Sequence, residues 1–107
     1  MGTAAGGDQR DVNLVSGSFT GTGQSASRRV QGQFNVSLWG TFVGTISVER
    51  SFDNGATWIN CSRDTAGTDN AFTAPTTQVL NEPENGVLYR VNCTAFTSGT
   101  INYRISQ

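Results

Sequence analysis

The chain has 107 residues and a formal net charge of −1, with 36% hydrophobic and 14% charged residues. That length holds one domain. The absence of a basic excess argues against a nucleic-acid binder, and the absence of histidine removes the commonest general base and metal ligand together.

Thirteen glycines against two prolines, with abundant Ser and Thr, are the composition of a turn-rich β-protein. All seven basic residues are Arg, whose planar fork suits pairing and stacking at interfaces. No apolar run approaches the ~18 residues of a membrane span, and no basic-then-apolar leader opens the chain. A soluble protein without a cleaved export signal is therefore expected. Met1-Gly2 opens like a myristoylation signal, but Gly6 stands where that motif needs Ser or Thr.

Residues 1–10 are small and polar and read as a flexible arm ahead of one β-sandwich domain over 11–107. Asp11 to Val15 alternates and predicts a first strand. Ser16 to Ser27, around Phe19, is a loop or a pair of short edge strands. Phe34, Val36 and Leu38 alternate with Asn35, Ser37 and Trp39, the pattern of a half-buried strand. After a break at Gly40-Thr41, Phe42, Gly44, Ile46 and Val48 share one face. With the return run Thr57 to Cys61 these strands predict a three-stranded meander.

Arg63 to Thr73 is polar and predicts a long loop with a short strand near Ala71-Phe72-Thr73. Thr76 to Leu80 is β-prone, and Asn81-Glu82-Pro83-Glu84-Asn85-Gly86 reads as a turn. Val87, Tyr89, Val91 and Cys93 then alternate with polar neighbours. Thr97-Ser98-Gly99 predicts a hairpin into the final strand, Thr100 to Ser106. About seven or eight short strands at roughly 8–12-residue spacing, with no helical period, give an all-β fold. The expectation is a single antiparallel β-sandwich, immunoglobulin-like or jelly-roll-like.

The most specific motif is Ser51-Phe52-Asp53-Asn54-Gly55-Ala56-Thr57-Trp58. Asn and Gly tolerate positive φ, and a short Asp side chain accepts hydrogen bonds from the backbone just after it. The run matches the Ser-x-Asp-x-Gly-x-Thr-Trp pattern of the Asp-box. It resembles the hairpin corner repeated in sialidase propellers, where it is structural and away from the chemistry. Ser51, Asp53, Asn54, Gly55, Thr57 and Trp58 are accordingly expected to build a structural turn.

Catalytic candidates are few. Glu49, Arg50 and Asp53 lie close in sequence, but a turn cap beside two strand residues accounts for them. Cys61 and Cys93 each follow an apolar position by two and are expected in the core. They are either bonded to each other or free buried thiols, the latter favoured. Without a histidine nothing activates them, and two thiols alone are too few for zinc. No catalytic, cofactor or metal residues are expected. The sequons at Asn35, Asn60 and Asn92 fall inside predicted strands and are read as chance. Arg28 and Arg29 are a solvated pair or a contact for an acidic partner. Trp39, Phe52 and Phe72 either close the ends of the sandwich or mark an interface.

Phe34 to Trp58, Gly86-Val87-Leu88-Tyr89-Arg90 and Ser98-Gly99-Thr100-Ile101-Asn102-Tyr103-Arg104 together resemble small β-sandwich structural proteins of tailed bacteriophages. The likeness covers about two-thirds of the chain. It implies a non-enzymatic virion protein, made in the host cytoplasm, that decorates or cements the capsid. It also implies the major capsid protein as partner, a homo-oligomer (dimer or trimer) on the particle, and neither nucleic acid nor membrane. A tail or receptor-binding protein and a carbohydrate-binding module presenting Trp39 or Phe72 are the alternatives.

Overall fold

A computed structural model describes residues 14–61 and 71–107. They form eight strands and, among the described residues, no helix. The strands are β1 (Leu14–Phe19), β2 (Gly23–Gln24), β3 (Arg28–Trp39), β4 (Phe42–Ser51), β5 (Ile59–Asn60), β6 (Ala71–Phe72), β7 (Thr76–Gly99) and β8 (Ile101–Ser106). All pair antiparallel in the order β1-β8-β3-β7-β4-β5, with β2 beside β7 and β6 beside β4. The all-β, antiparallel reading of the sequence holds. The expected arm over 1–10 and most of the loop expected over 63–73 lie outside the described residues.

The organising element is β7, whose 24 residues belong to both halves of the sheet. Thr76 to Glu82 pairs with β3 from Leu38 to Gly32, and Leu88 to Gly99 pairs with β4 from Ser51 to Phe42. Between them the β3 register jumps from Glu82, opposite Gly32, to Val87, opposite Val30. Of the turn predicted over Asn81-Glu82-Pro83-Glu84-Asn85-Gly86, Asn81 and Glu82 stay in the ladder opposite Gln33 and Gly32, and Pro83 to Gly86 are an excursion within one continuing strand. Beyond the bulge β7 stays on β3 through Tyr89, opposite Arg28, while it takes up β4 on its other side, and a bulge of this kind bends its strand. Val36, Leu38, Ile101 and Ile105 from one half meet Ile46, Val48, Val91 and Cys93 from the other in one buried cluster.

Two expected connections are corrected. β3 and β4 do not form a meander, because β7 lies between them, and β7 and β8 do not form a hairpin, because β3 lies between them. Both turns carry the chain past an intervening strand of the one sheet instead of into a neighbouring pair. Trp39 pairs with Asn102 on one side of the crossing, and Phe42 with Gly99 on the other. The crossings sit back to back: the Thr100 N–H donates to the Thr41 carbonyl at 3.0 Å. A Cβ on Gly40 would meet the Thr100 oxygen, and one on Gly99 would meet the Thr41 oxygen. Each glycine makes room for the other turn's backbone.

Candidate functional site

The predicted corner closes the β4–β5 hairpin, with Glu49 opposite Asn60 and Arg50 opposite Ile59. Ser51, fully buried, donates from its hydroxyl to Asp53 Oδ1 at 2.8 Å and accepts the Gly55 N–H at 2.8 Å. The Thr57 N–H donates to the same Asp53 oxygen at 2.8 Å. Asn54 and Gly55 take φ of 61° and 93°, a conformation that Asn tolerates and that Gly, lacking a Cβ, adopts freely. Hydrogen bonds from the Thr57 side chain and backbone, and from Ser51, pull the Asp53 carboxyl down to about 2. The Ser51 hydroxyl and the Asp53 carboxylate are both engaged in holding the turn.

Trp58 leaves the turn as a platform. The Arg90 guanidinium lies 4.1 Å above its ring, while Arg90 Nε donates to Glu49 Oε1 at 2.8 Å and Asn92 Nδ2 to Glu49 Oε2 at 2.9 Å. This accounts for the burial of Glu49 although it alternates with the core-facing Ile46 and Val48. Arg29 ties the corner to the β7 excursion, donating to the Asn54 side chain at 2.9 Å and to the Gly86 carbonyl at 2.7 Å.

Beside this corner a groove of about 400 Å³ runs between β5 and the first half of β7. It is lined by the apolar Phe52, Ile59 and Leu80, by the amides of Asn60 and Asn81, and by Arg50, Cys61 and Tyr89. Phe52 and Ile59 are 48% and 50% exposed, and the Arg50 guanidinium stacks 4.8 Å from the Phe52 ring. Beneath lies Glu82, 2% exposed. It accepts from Tyr89 Oη at 2.7 Å, Arg50 Nη1 at 2.8 Å and the Glu84 N–H at 2.9 Å.

Burial alone would push the Glu82 carboxyl up. The Glu84 N–H, the Tyr89 hydroxyl and Arg50 overcome it and hold the carboxyl below its ordinary value. Burial first, and the bond to Glu82 second, push the Tyr89 phenol well above its range. Burial also raises the Cys61 thiol to about 11, against the opposing pull of Arg50. These groups satisfy one another, and the apolar rim is what the groove offers to a visitor.

Of the other residues singled out in the sequence, Trp39 is 47% exposed at the end of β3. Phe72 is half-buried against the core. Arg28 donates to the Leu14 carbonyl at 3.0 Å. Both cysteines are free thiols: Cys93 is buried in the core, and Cys61 is only half-buried. Glu82, Tyr89, Ile59 and Leu80 were not anticipated at a site. The signal was in the alternation: the inward phase of Ile46 and Val48 continues to Arg50, and that of Gln78 and Leu80 continues to Glu82. Comparison with protein-family models, curated proteins and solved structures found no match.

Proposed function

We propose that the chain is a non-enzymatic virion structural protein, a decoration or cement protein that binds the major capsid protein of an assembled bacteriophage head. The observation that carries this reading is the groove beside the corner. Exposed Phe52 and Ile59 stand over a floor whose ionisable groups are already bonded to one another. Such a site suits docking better than chemistry: aromatic and aliphatic anchors beside a pocket are the features of interface hot spots, and a thiol raised to about 11 is a poor nucleophile. A partner bound only in the assembled shell stabilises that shell by mass action, and many weak contacts on a symmetric particle reinforce one another.

The test is co-sedimentation with heads that lack the protein, alongside free capsid subunits. The reading expects saturable binding to heads, little to free subunits, and weakened binding for Phe52→Ala and Ile59→Ala. A second reading rests on the polar ends of the groove. Asn60, Asn81 and Arg50 around Phe52 place planar hydrogen-bonding groups beside a ring, as a sugar site requires. Retention on a polysaccharide column without binding to heads would favour it, and binding to tails alone would favour a tail protein.

A further inference from the structure

Among the described residues, the first half of β7 is an unpaired sheet edge. Thr76 to Glu82 pairs with β3 on one side, and among the described residues no strand pairs with its other side. Natural sheets guard such edges with Lys, Pro, bulges or charges. Thr76-Thr77-Gln78-Val79-Leu80-Asn81 itself carries no Pro and no charge, Pro75 and Pro83 lying just outside it and the register shift coming after Glu82, and the one ionisable group of the stretch, Glu82, is turned inward onto Arg50 and Tyr89. The edge also carries Val79, the most exposed of the large hydrophobic residues at 68%.

We propose that this edge is a self-association surface, on which a second copy of the chain adds its own Thr76–Glu82 segment antiparallel across a two-fold axis. The sequence is self-complementary in that arrangement. Side chains alternate between faces, so only registers that keep inward residues opposite inward ones preserve the sheet. The register centred on Val79 does so. It sets Val79 against Val79 of the other copy, Thr77 against Asn81, Gln78 against Leu80, and Thr76 against Glu82. No like charges meet, and the exposed valine is covered by its own mate, as the isologous symmetry of a dimer requires. The neighbouring outward residues on β3, Asn35 and Ser37, are uncharged, so nothing there repels a second copy. This inference goes beyond the decoration reading, and because Leu80 and Asn81 belong to both the edge and the groove, a second copy on this edge would sit beside the docking site.

The test uses the full chain in solution. At about 100 µM, where a micromolar interface is saturated, sedimentation velocity should report a dimer. Val79→Lys should be monomeric with unchanged far-ultraviolet circular dichroism, because the two new ammonium groups would face each other. Directly opposed residues in an antiparallel pair lie within disulfide reach. Val79→Cys should therefore form a covalent dimer under mild oxidation, at least tenfold faster than Ser18→Cys on the free edge of β1 or the unsubstituted chain. A monomeric parent protein, a dimer that survives Val79→Lys, or equal cross-linking of Val79→Cys and Ser18→Cys would overturn the proposal. The first of these, with Thr76–Glu82 gaining protection from hydrogen exchange when heads are added, would give the edge to the capsid subunit instead.

Discussion

Arg50 Nη1 lies 2.8 Å from Glu82 Oε1, beside the excursion after which β7 lies between β3 and β4. Glu82 is the last residue paired with β3 before the excursion, and Arg50 stands on β4 opposite Tyr89. The pair, with the Tyr89 hydroxyl on the same oxygen, pins the strand crossing. Glu82→Ala leaves the Tyr89 hydroxyl and the Glu84 N–H without their acceptor and removes the counter-charge of Arg50. The expected cost is about 2–4 kcal/mol, a fall of roughly 10 °C or more in Tm. Glu82→Gln, which keeps an acceptor, should lose less. Equal melting of Glu82→Ala and the parent protein would show that the crossing does not need the pair.

Stability should fall on the acid side. Asp53 is held at about 2 against an ordinary 3.8, so its folded value lies below its unfolded one. Its contribution is complete above about pH 4 and is lost as pH falls toward 2. Glu82, also held low, acts in the same direction. Chemical denaturation between pH 6 and pH 2 should show this limb, and Asp53→Asn should be less stable at neutral pH with a shallower acid decline. A variant curve parallel to the parent throughout would contradict the role of the turn carboxylate.

Two glycine substitutions probe different causes. At Gly55 the space is open, a Cβ finding its nearest atoms at 3.8 Å, so Gly55→Val should cost about 1–3 kcal/mol through positive φ alone. At Gly99 a Cβ would run into the Thr41 backbone, which cannot yield without parting the two crossings. Gly99→Ala should therefore be the more damaging despite its smaller side chain. Thermal unfolding of both variants orders them, and the reverse order would break the back-to-back account of the turns.

The two thiols should differ in the native state. Cys93 is shut in the core, while Cys61 reaches the groove with its thiol raised to about 11. Cys61 should react slowly with a thiol reagent near pH 8 and faster as pH rises toward 11, and Cys93 should react only on unfolding. Fast labelling of both at pH 8 would contradict the placement.

How much the sequence revealed depended on distance along the chain. The corner at Ser51–Trp58 was legible because its hydrogen bonds close within a few residues. The Pro83–Gly86 turn was legible too, but not that the strand resumes in the same ladder, since that depends on β3 some fifty residues earlier. The crossings at Gly40 and Gly99 look like ordinary hairpin turns locally. What sets them apart, an intervening strand and the contact of one turn with the other, lies some sixty residues away in sequence. Glu82 was hidden by its neighbours Pro83, Glu84 and Asn85, whose turn chemistry masked an inward strand position. The groove was invisible for the same reason, being built from β4, β5 and β7 together.

The most direct measurement of the central claim is the temperature of genome release from heads with and without the protein. Heads lacking it should gain heat resistance as purified protein is added back, in proportion to occupancy. Phe52→Ala and Ile59→Ala should need more protein for the same gain while melting, as free proteins, close to the parent. Release at one unchanged temperature across full titration, or a gain that those variants reproduce at equal concentration, would contradict the claim that this groove docks the protein on a capsid.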